Sequence, residues 1–123
     1  MKEILFKAKR IDNGEWVEGF VFFNGATENW CIIANYNKND IYVVIANTIC
    51  QYTGLTDKNV NKIWENDIVK DCSDNKRGAV KYLHGCFGAM TNPETGSGVY
   101  LHYINHKAEV IGNIFDNADL VKE

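Results

Sequence analysis

Hydrophobic and polar positions alternate with a period of two over much of the chain, and turn-forming residues break the alternation at short intervals. That spacing predicts strands, because successive side chains on a strand point to opposite faces. The first unit of the pattern runs from Ile4 to Phe23 around Asn13-Gly14, the dipeptide that most readily supplies two successive positive φ angles for a type I′ hairpin turn. Placing those two residues at the turn pairs Asp12 with Glu15, Ile11 with Trp16, Lys9 with Glu18 and Leu5 with Phe22. One face then collects Ile4, Phe6, Ala8, Val17, Val21 and Phe23, while Lys9 opposes Glu18 on the other as a cross-strand charge pair.

A second turn at Asn24-Gly25 leads to a strand near Trp30 to Ala34, and the polar stretch Asn35 to Asp40 separates it from another at Ile41 to Ala46. These runs are rich in β-branched and aromatic residues and too short for helices. After Thr48 to Tyr52, residues Thr53 to Asn59 have loop chemistry, and Asn66-Asp67 marks a turn before Ile68-Val69-Lys70. Asp71 to Gly78 reads as polar and exposed, and Ala79 to Leu83 as extended again. Phe87 to Gly98, which holds the only proline, Pro93, is predicted to be a loop, the first place to seek a binding segment because long loops are often functional. Val99 to Ile104 and Lys107 to Phe115 form a predicted hairpin around Asn105-His106, setting His102 opposite Glu109. Asp116-Asn117 before Ala118 to Val121 predicts a helical turn capped by an Asn or Asp side chain. The sum is an all-β fold of about eight to ten short strands, in small antiparallel sheets or a partly open barrel with one short C-terminal helical turn.

Composition adds bounds. A chain of 123 residues, 46% hydrophobic and 24% charged, suits a single globular domain over residues 1–123. The formal net charge of -3 gives no general attraction to nucleic acid or to an anionic membrane, so binding either needs a local patch. Charges interrupt Met1 to Phe6, which lacks the apolar centre of a signal peptide, and no apolar run reaches the length of a membrane span. A cytoplasmic location without a membrane partner is therefore expected, and in that setting Cys31, Cys50, Cys72 and Cys86 are expected as free thiols.

The chemistry-bearing residues divide into a few groups. Gln51, Tyr52, Thr53, Gly54, Asp57 and Asp67 cluster around turns, as a binding signature or as turn-forming residues. The second reading has the simpler physics: Asp57 and Asp67 orient turns by hydrogen bonds to backbone, and Gly54 supplies an unusual φ. Glu65 and Asp67 lack an identified partner for acid-base work. Cys72, His84, Cys86, His102 and His106 are zinc-type ligands, but there is no Cys-x-x-Cys pair and His84-Gly85-Cys86 is too tight for a two-ligand knuckle, so no metal or cofactor is expected. A nucleophilic Cys86 or Cys72 needs His84 or His102 beside it and a third group to orient the base, whereas free cysteines are commonly small buried hydrophobes. Thr95-Gly96-Ser97-Gly98 lacks the Gly-Lys-Ser/Thr ending of a phosphate loop, and no helix is predicted after it. No catalytic residue is assigned. Lys7, Lys9 and Arg10 near Trp16 and Phe20, with a second basic stretch of Lys76, Arg77 and Lys81, combine cations with rings as nucleic-acid modules do. The acidic total and the expected Lys9 to Glu18 pairing favour a solvated face instead.

Three stretches carry a family likeness. The first is Phe6 to Val17, with Lys9-Arg10-Ile11-Asp12-Asn13-Gly14-Glu15-Trp16. The second is Gln51-Tyr52-Thr53-Gly54-Leu55, then Asp57-Lys58-Asn59, then Ile63-Trp64-Glu65-Asn66-Asp67-Ile68-Val69. The third is Glu109-Val110-Ile111-Gly112-Asn113-Ile114-Phe115-Asp116-Asn117, ending in Leu120. In order and spacing the chain resembles the YopX family of phage and prophage proteins. The resemblance implies a mostly β protein and brings no catalytic residue or cofactor with it. Three positions depart from the family pattern. Val60 stands where Gly usually follows Asp-Lys-Asn, and since β-branched residues resist positive φ, the left-handed position is expected on Asn59. Asn66 replaces a Gly and tolerates that conformation, and Ala118 replaces a Pro. The expected function is that of a non-enzymatic accessory module in the host cytoplasm that binds a host or phage protein, the alternative being a nucleic-acid-binding β module. Edge strands add a homo-oligomer as an expected partner.

Overall fold

The computed structural model describes residues 4–34, 40–83, 85–92 and 97–121. The chain forms two compact units, Met1–Tyr52 and Thr53–Glu123. Pro93, His84 and residues 35–39 of the polar stretch Asn35 to Asp40 lie outside the described residues.

The first unit holds β1 (Phe6–Lys9), β2 (Trp16–Asn24), β3 (Asn29–Ile33), β4 (Ile41–Val43) and the start of β5 (Cys50–Thr56), in the order β4-β3-β2-β1-β5. Its core is Ala8, Ile32 and Val44, with Val17, Val21 and Ile49 packed against them. The first hairpin forms as expected, but its turn and register differ from the sequence reading. Gly14 takes φ +73° and Asn13 is not in the positive region, so the turn is not type I′. The loop spans Ile11 to Gly14, closed by Arg10 N donating to Glu15 O at 2.8 Å and Gly14 N to Arg10 O at 2.9 Å. Lys9 therefore pairs with Trp16, and Glu18 with Lys7. The cause is tertiary. Arg10 bridges to Val44, and Ile11 N donates to Val43 O at 3.0 Å, bonds that a two-residue turn would deny to that end of the strand. The slip is of two residues, so each side chain keeps its face, and Ala8 and Val17 still point into the core. Ile4 and Phe23, assigned to the same face, lie beyond the core and are exposed.

The second unit contains the rest of β5, its neighbour β6 (Lys62–Trp64), and a five-stranded antiparallel sheet of β7 (Asp67–Asp71), β8 (Arg77–Leu83), β9 (Cys86–Asn92), β10 (Ser97–Tyr100) and β11 (Ala108–Asn113), ordered β10-β9-β8-β7-β11. A helical turn α1 (Leu101–Ile104) and a 3-10 turn Asn105–Lys107 join β10 to β11. The core is Ile63, Val69, Val80, Ala89, Leu101, Ile104 and Ala108. All strand pairings are antiparallel and neither sheet closes into a barrel, so of the two expected all-β forms the open sheets are the one found.

Three expectations are corrected here. Thr53 to Thr56 belong to β5, with Gly54 at φ +84° inside the strand. Most of the predicted loop Phe87 to Gly98 is strand, β9 and the start of β10, and only 93–96, outside the described residues, lie between. The predicted final hairpin is absent. Leu101 and Ile104 stand three residues apart and are both buried, a spacing that brings them to one face of a helical turn but to opposite faces of a strand. His102 therefore does not face Glu109, which pairs with Lys70. The C-terminal turn forms as a 3-10 segment, Ala118–Val121. Asn117 Oδ1 accepts from Asn113 N at 3.2 Å.

Asn66 takes φ +72°, as its tolerance of that region predicts, but in the loop after Asp57 the left-handed residue is Val60, at φ +65°, and not Asn59. The Asp57 carboxylate fixes the loop from both sides by accepting from Asn59 N and Asn61 N, each at 2.9 Å, which forces the sharp reversal onto the residue between them. Val60 is 78% exposed, so its side chain gains little in return. Val60→Gly is expected to stabilise the protein by about 1 kcal/mol, the left-handed penalty less the added entropy of a glycine in the unfolded chain. A thermal melt should show this as a rise of about 3–4 °C.

Candidate functional site

The sequence-selected polar residues fall in both units. Gln51 and Tyr52 lie in the first unit, where Gln51 sits opposite Phe6 and the buried Tyr52 donates its backbone N–H to Leu5 O at 2.8 Å. Thr53 is buried in the second unit, donating its hydroxyl to Ile63 O at 2.7 Å and accepting from Leu55 N at 3.2 Å. Asp67 Oδ2 accepts from Trp64 N at 2.8 Å, closing the turn between β6 and β7. Asp57 uses one oxygen for its own loop and the other for Val110 N of β11, at 3.0 Å. Burial works to raise the Asp57 pKa, but the N–H groups of Val110, Asn61 and Asn59 outweigh it and hold the carboxyl below its usual range. These oxygens accept from backbone N–H groups, an arrangement that fixes turns. The terminal signature behaves alike: a Cβ on Gly112 would stand 2.6 Å from Asn117 Oδ1, and Asn113 Oδ1 accepts from Phe115 N and Asp116 N, each at 2.9 Å.

The first basic stretch is turned onto rings of its own unit. The Lys7 and Lys9 ammonium groups lie 4.6 and 5.6 Å from the Trp16 ring centroid, and the Arg10 guanidinium lies 4.2 Å over Tyr42 while pairing with Asp12 at 2.6 Å. In the second stretch, Arg77 donates to Leu120 O at 3.2 Å and Lys81 to Asn66 Oδ1 at 2.6 Å. Among the described residues no three His, Cys, Asp or Glu side chains form a group able to hold a metal ion. Cys31 and Cys50 are buried, and the half-buried Cys72 directs its thiol to Lys70 O at 3.8 Å. The Cys72 thiol, with the charge of Glu109, raises the pKa of Lys58 beside it. No helix among the described residues is long and apolar enough to cross a membrane.

What stands open is an aromatic group that the sequence reading missed. Tyr100 ends β10, and His102 and Tyr103 lie on the outer side of α1, whose inner residues Leu101 and Ile104 anchor it in the core. The Tyr100 and His102 rings stack with centroids 5.8 Å apart at 21°, and His102 meets Tyr103 at 4.2 Å. Tyr100 is 49% and Tyr103 65% exposed. A cavity of about 180 Å³ adjoins the same strand, lined by Gly98, Val99, Ala89, Val69 and Ile104, with Asp71, Asp74 and Lys76 as its charged residues. The hydroxyl and backbone N–H of Ser73 hold the Asp71 carboxyl below its usual range, helped by Lys107 at 3.5 Å. The signal in the sequence was the spacing of Leu101 and Ile104 with rings at the positions between and before them, but six residues are too few to separate a helical turn from an alternating strand.

Among curated proteins, none matches the chain. The crystal structure of protein EF1440 from Enterococcus faecalis is similar in fold, with a TM-score of 0.66 and 21% identity over 99% of this chain and 100% of that one. The YopX protein family matches residues 6–122, nearly the whole length and all three signature stretches, whose side chains hold the turns of the fold just described, and so the chain belongs to the YopX family.

Proposed function

We propose that the protein is a non-enzymatic accessory module of a phage or prophage that acts in the host cytoplasm by binding a host or phage protein. The observation that carries this reading is the exposed ring group Tyr100, His102 and Tyr103 on a turn anchored by Leu101 and Ile104. Tyrosine supplies broad contact area with little side-chain entropy to lose, which is why it is enriched at protein interfaces. The carboxylates of Asp57 and Asp67, by contrast, are committed to backbone donors, which favours recognition over chemistry. Support for the phage setting comes from the family resemblance.

The test is affinity capture of the tagged chain from host lysate, with and without nuclease, beside the double variant Tyr100→Ala/Tyr103→Ala. A protein retained through nuclease treatment and weakened at least tenfold by the double variant is the expected outcome, since anchoring aromatic residues commonly contribute about 2 kcal/mol or more. Both rings are largely exposed, so the variant should melt within a few degrees of the parent. Retention that vanishes with nuclease would replace this reading with the nucleic-acid one.

A further inference from the structure

Two Asn-Gly dipeptides, Asn13-Gly14 and Asn24-Gly25, stand at reversals of the first sheet. A glycine after an asparagine has no side chain to shield its nitrogen, which can attack the asparagine Cγ. The dipeptides are identical, and the fold separates them. At the first, Gly14 N donates to Arg10 O at 2.9 Å, Asn13 Nδ2 donates to Glu15 Oε2 at 3.2 Å and Asn13 Oδ1 accepts from Glu15 N at 2.9 Å. Nucleophile and leaving amide are both committed there. At the second, Asn24 ends β2 opposite Asn29, and Gly25 to Glu28 form an exposed turn. Among the described residues no acceptor meets Gly25 N or Asn24 Nδ2. Asn24 Oδ1 accepts from Ala26 N at 3.0 Å, a donor that stabilises the negative charge growing on that oxygen during attack. Asn13 has a like donor in Glu15 N, so the contrast lies in the nucleophile and the leaving group.

We propose that Asn24 is a self-modification site of the folded protein, converted by attack of Gly25 N to aspartate and isoaspartate, and that the fold protects Asn13 from the same reaction. Gly25 N loses its proton to solvent and bonds to Asn24 Cγ, and the Cγ–Nδ2 bond breaks as the leaving nitrogen takes a proton from solvent and departs as ammonia. Water then opens the resulting cyclic imide at either carbonyl. The net change consumes one water, turns the carboxamide into a carboxylate and releases ammonium, with no oxidation and no co-reactant besides water. Each event adds one negative charge to a chain whose formal charge is -3. Opening towards isoaspartate also routes the main chain through Cβ, which lengthens β2 beyond Phe23 and unseats the last ladder pair, Asn24 with Asn29. The pair before it, Phe23 with Trp30, brings two rings together at 5.2 Å, so the change falls beside an exposed aromatic contact. Exposure alone would favour Asn13, which is fully open where Asn24 is half-buried, so accessibility and hydrogen bonding make opposite predictions.

The experiment incubates the full chain at mildly alkaline pH, folded and in urea, until the unfolded sample has converted at both dipeptides. Peptide mapping by mass spectrometry then follows the amide-to-acid mass gain at each asparagine. In the folded chain Asn24 is expected to convert at least about tenfold faster than Asn13, since each of the two hydrogen bonds that must break at Asn13 slows attack about fivefold. In urea the two sites should convert at comparable rates. Gly25→Ala should suppress conversion at Asn24 and leave Asn13 unchanged, because its methyl group crowds the attacking nitrogen. A Cβ at this position meets nothing within 4 Å and Gly25 does not need a positive φ, so the variant keeps the fold. Equal rates in the folded chain, or Asn13 the faster, would overturn the proposal, as would a folded Asn24 that stays intact. A difference of the same size in urea would overturn it too, by assigning the selectivity to neighbouring residues and not to the fold.

Discussion

Asp57→Ala is expected to lower the unfolding free energy by about 3–4 kcal/mol, because one truncation removes the acceptor of three backbone N–H groups and each buried orphan costs about 1–3 kcal/mol. Asn59 and Asn61 are exposed and recover part of their loss from water, whereas Val110 N sits on a strand beneath the loop and depends on the carboxylate. Urea unfolding of the parent and variant measures the difference. A pH series gives a second readout whose sign follows from the depressed pKa. The folded carboxyl binds its proton at lower pH than the unfolded one, so its contribution is complete above the unfolded value of about 4 and is lost as pH falls through the folded pKa. The gap between parent and Asp57→Ala should therefore be widest at neutral pH and narrow on acidification. A gap of the same size at pH 7 and pH 2 would show that the aspartate acts by shape alone. Gln51→Ala, outside this network of backbone bonds, is the comparison that separates a general loss of stability from the loss of one acceptor.

Gly19→Ala is the second large effect. A Cβ at this position would stand 2.0 Å from Ile33 O and 2.8 Å from Ile33 C, both backbone atoms of the neighbouring strand. Neither can move without displacing β3 from β2, so the substitution either separates the strands locally or distorts Gly19 itself. The expected cost is about 3 kcal/mol or more, in the range reserved for overpacking at sites that cannot relax. Gly25→Ala is the internal control, since a Cβ there meets nothing within 4 Å. Unfolding that treats the two alanines alike would mean that β2 and β3 are farther apart in solution than described.

Much of the first unit was legible because its strands follow one another as hairpins. Asn13-Gly14 and Asn24-Gly25 mark the reversals, and alternation assigns Ala8, Val17 and Val21 to the core. The register was not legible, since it depends on Val43 and Val44 meeting Ile11 and Arg10, contacts between segments more than thirty residues apart. In the second unit two errors share one cause: local composition was read as local structure. Thr53-Gly54 and the stretch from Phe87 to Gly98 look like loops by content, yet pairing with other strands recruits them into the sheets. Glycines there serve close backbone approach, as at Gly98, where a Cβ would lie 2.4 Å from Ala89 O.

The sequence by itself determined the all-β class, the first turns, the inward faces and the membership in the YopX family, because these depend on residue type and on spacing over a few positions. Tertiary structure alone decided that Val60 bears the left-handed angle, that Asp57 reaches β11, and that Leu101 to Ile104 coil with rings outward. Each of those outcomes is set by a backbone donor or an apolar surface supplied from a distant part of the chain, and no local preference encodes where that partner will be.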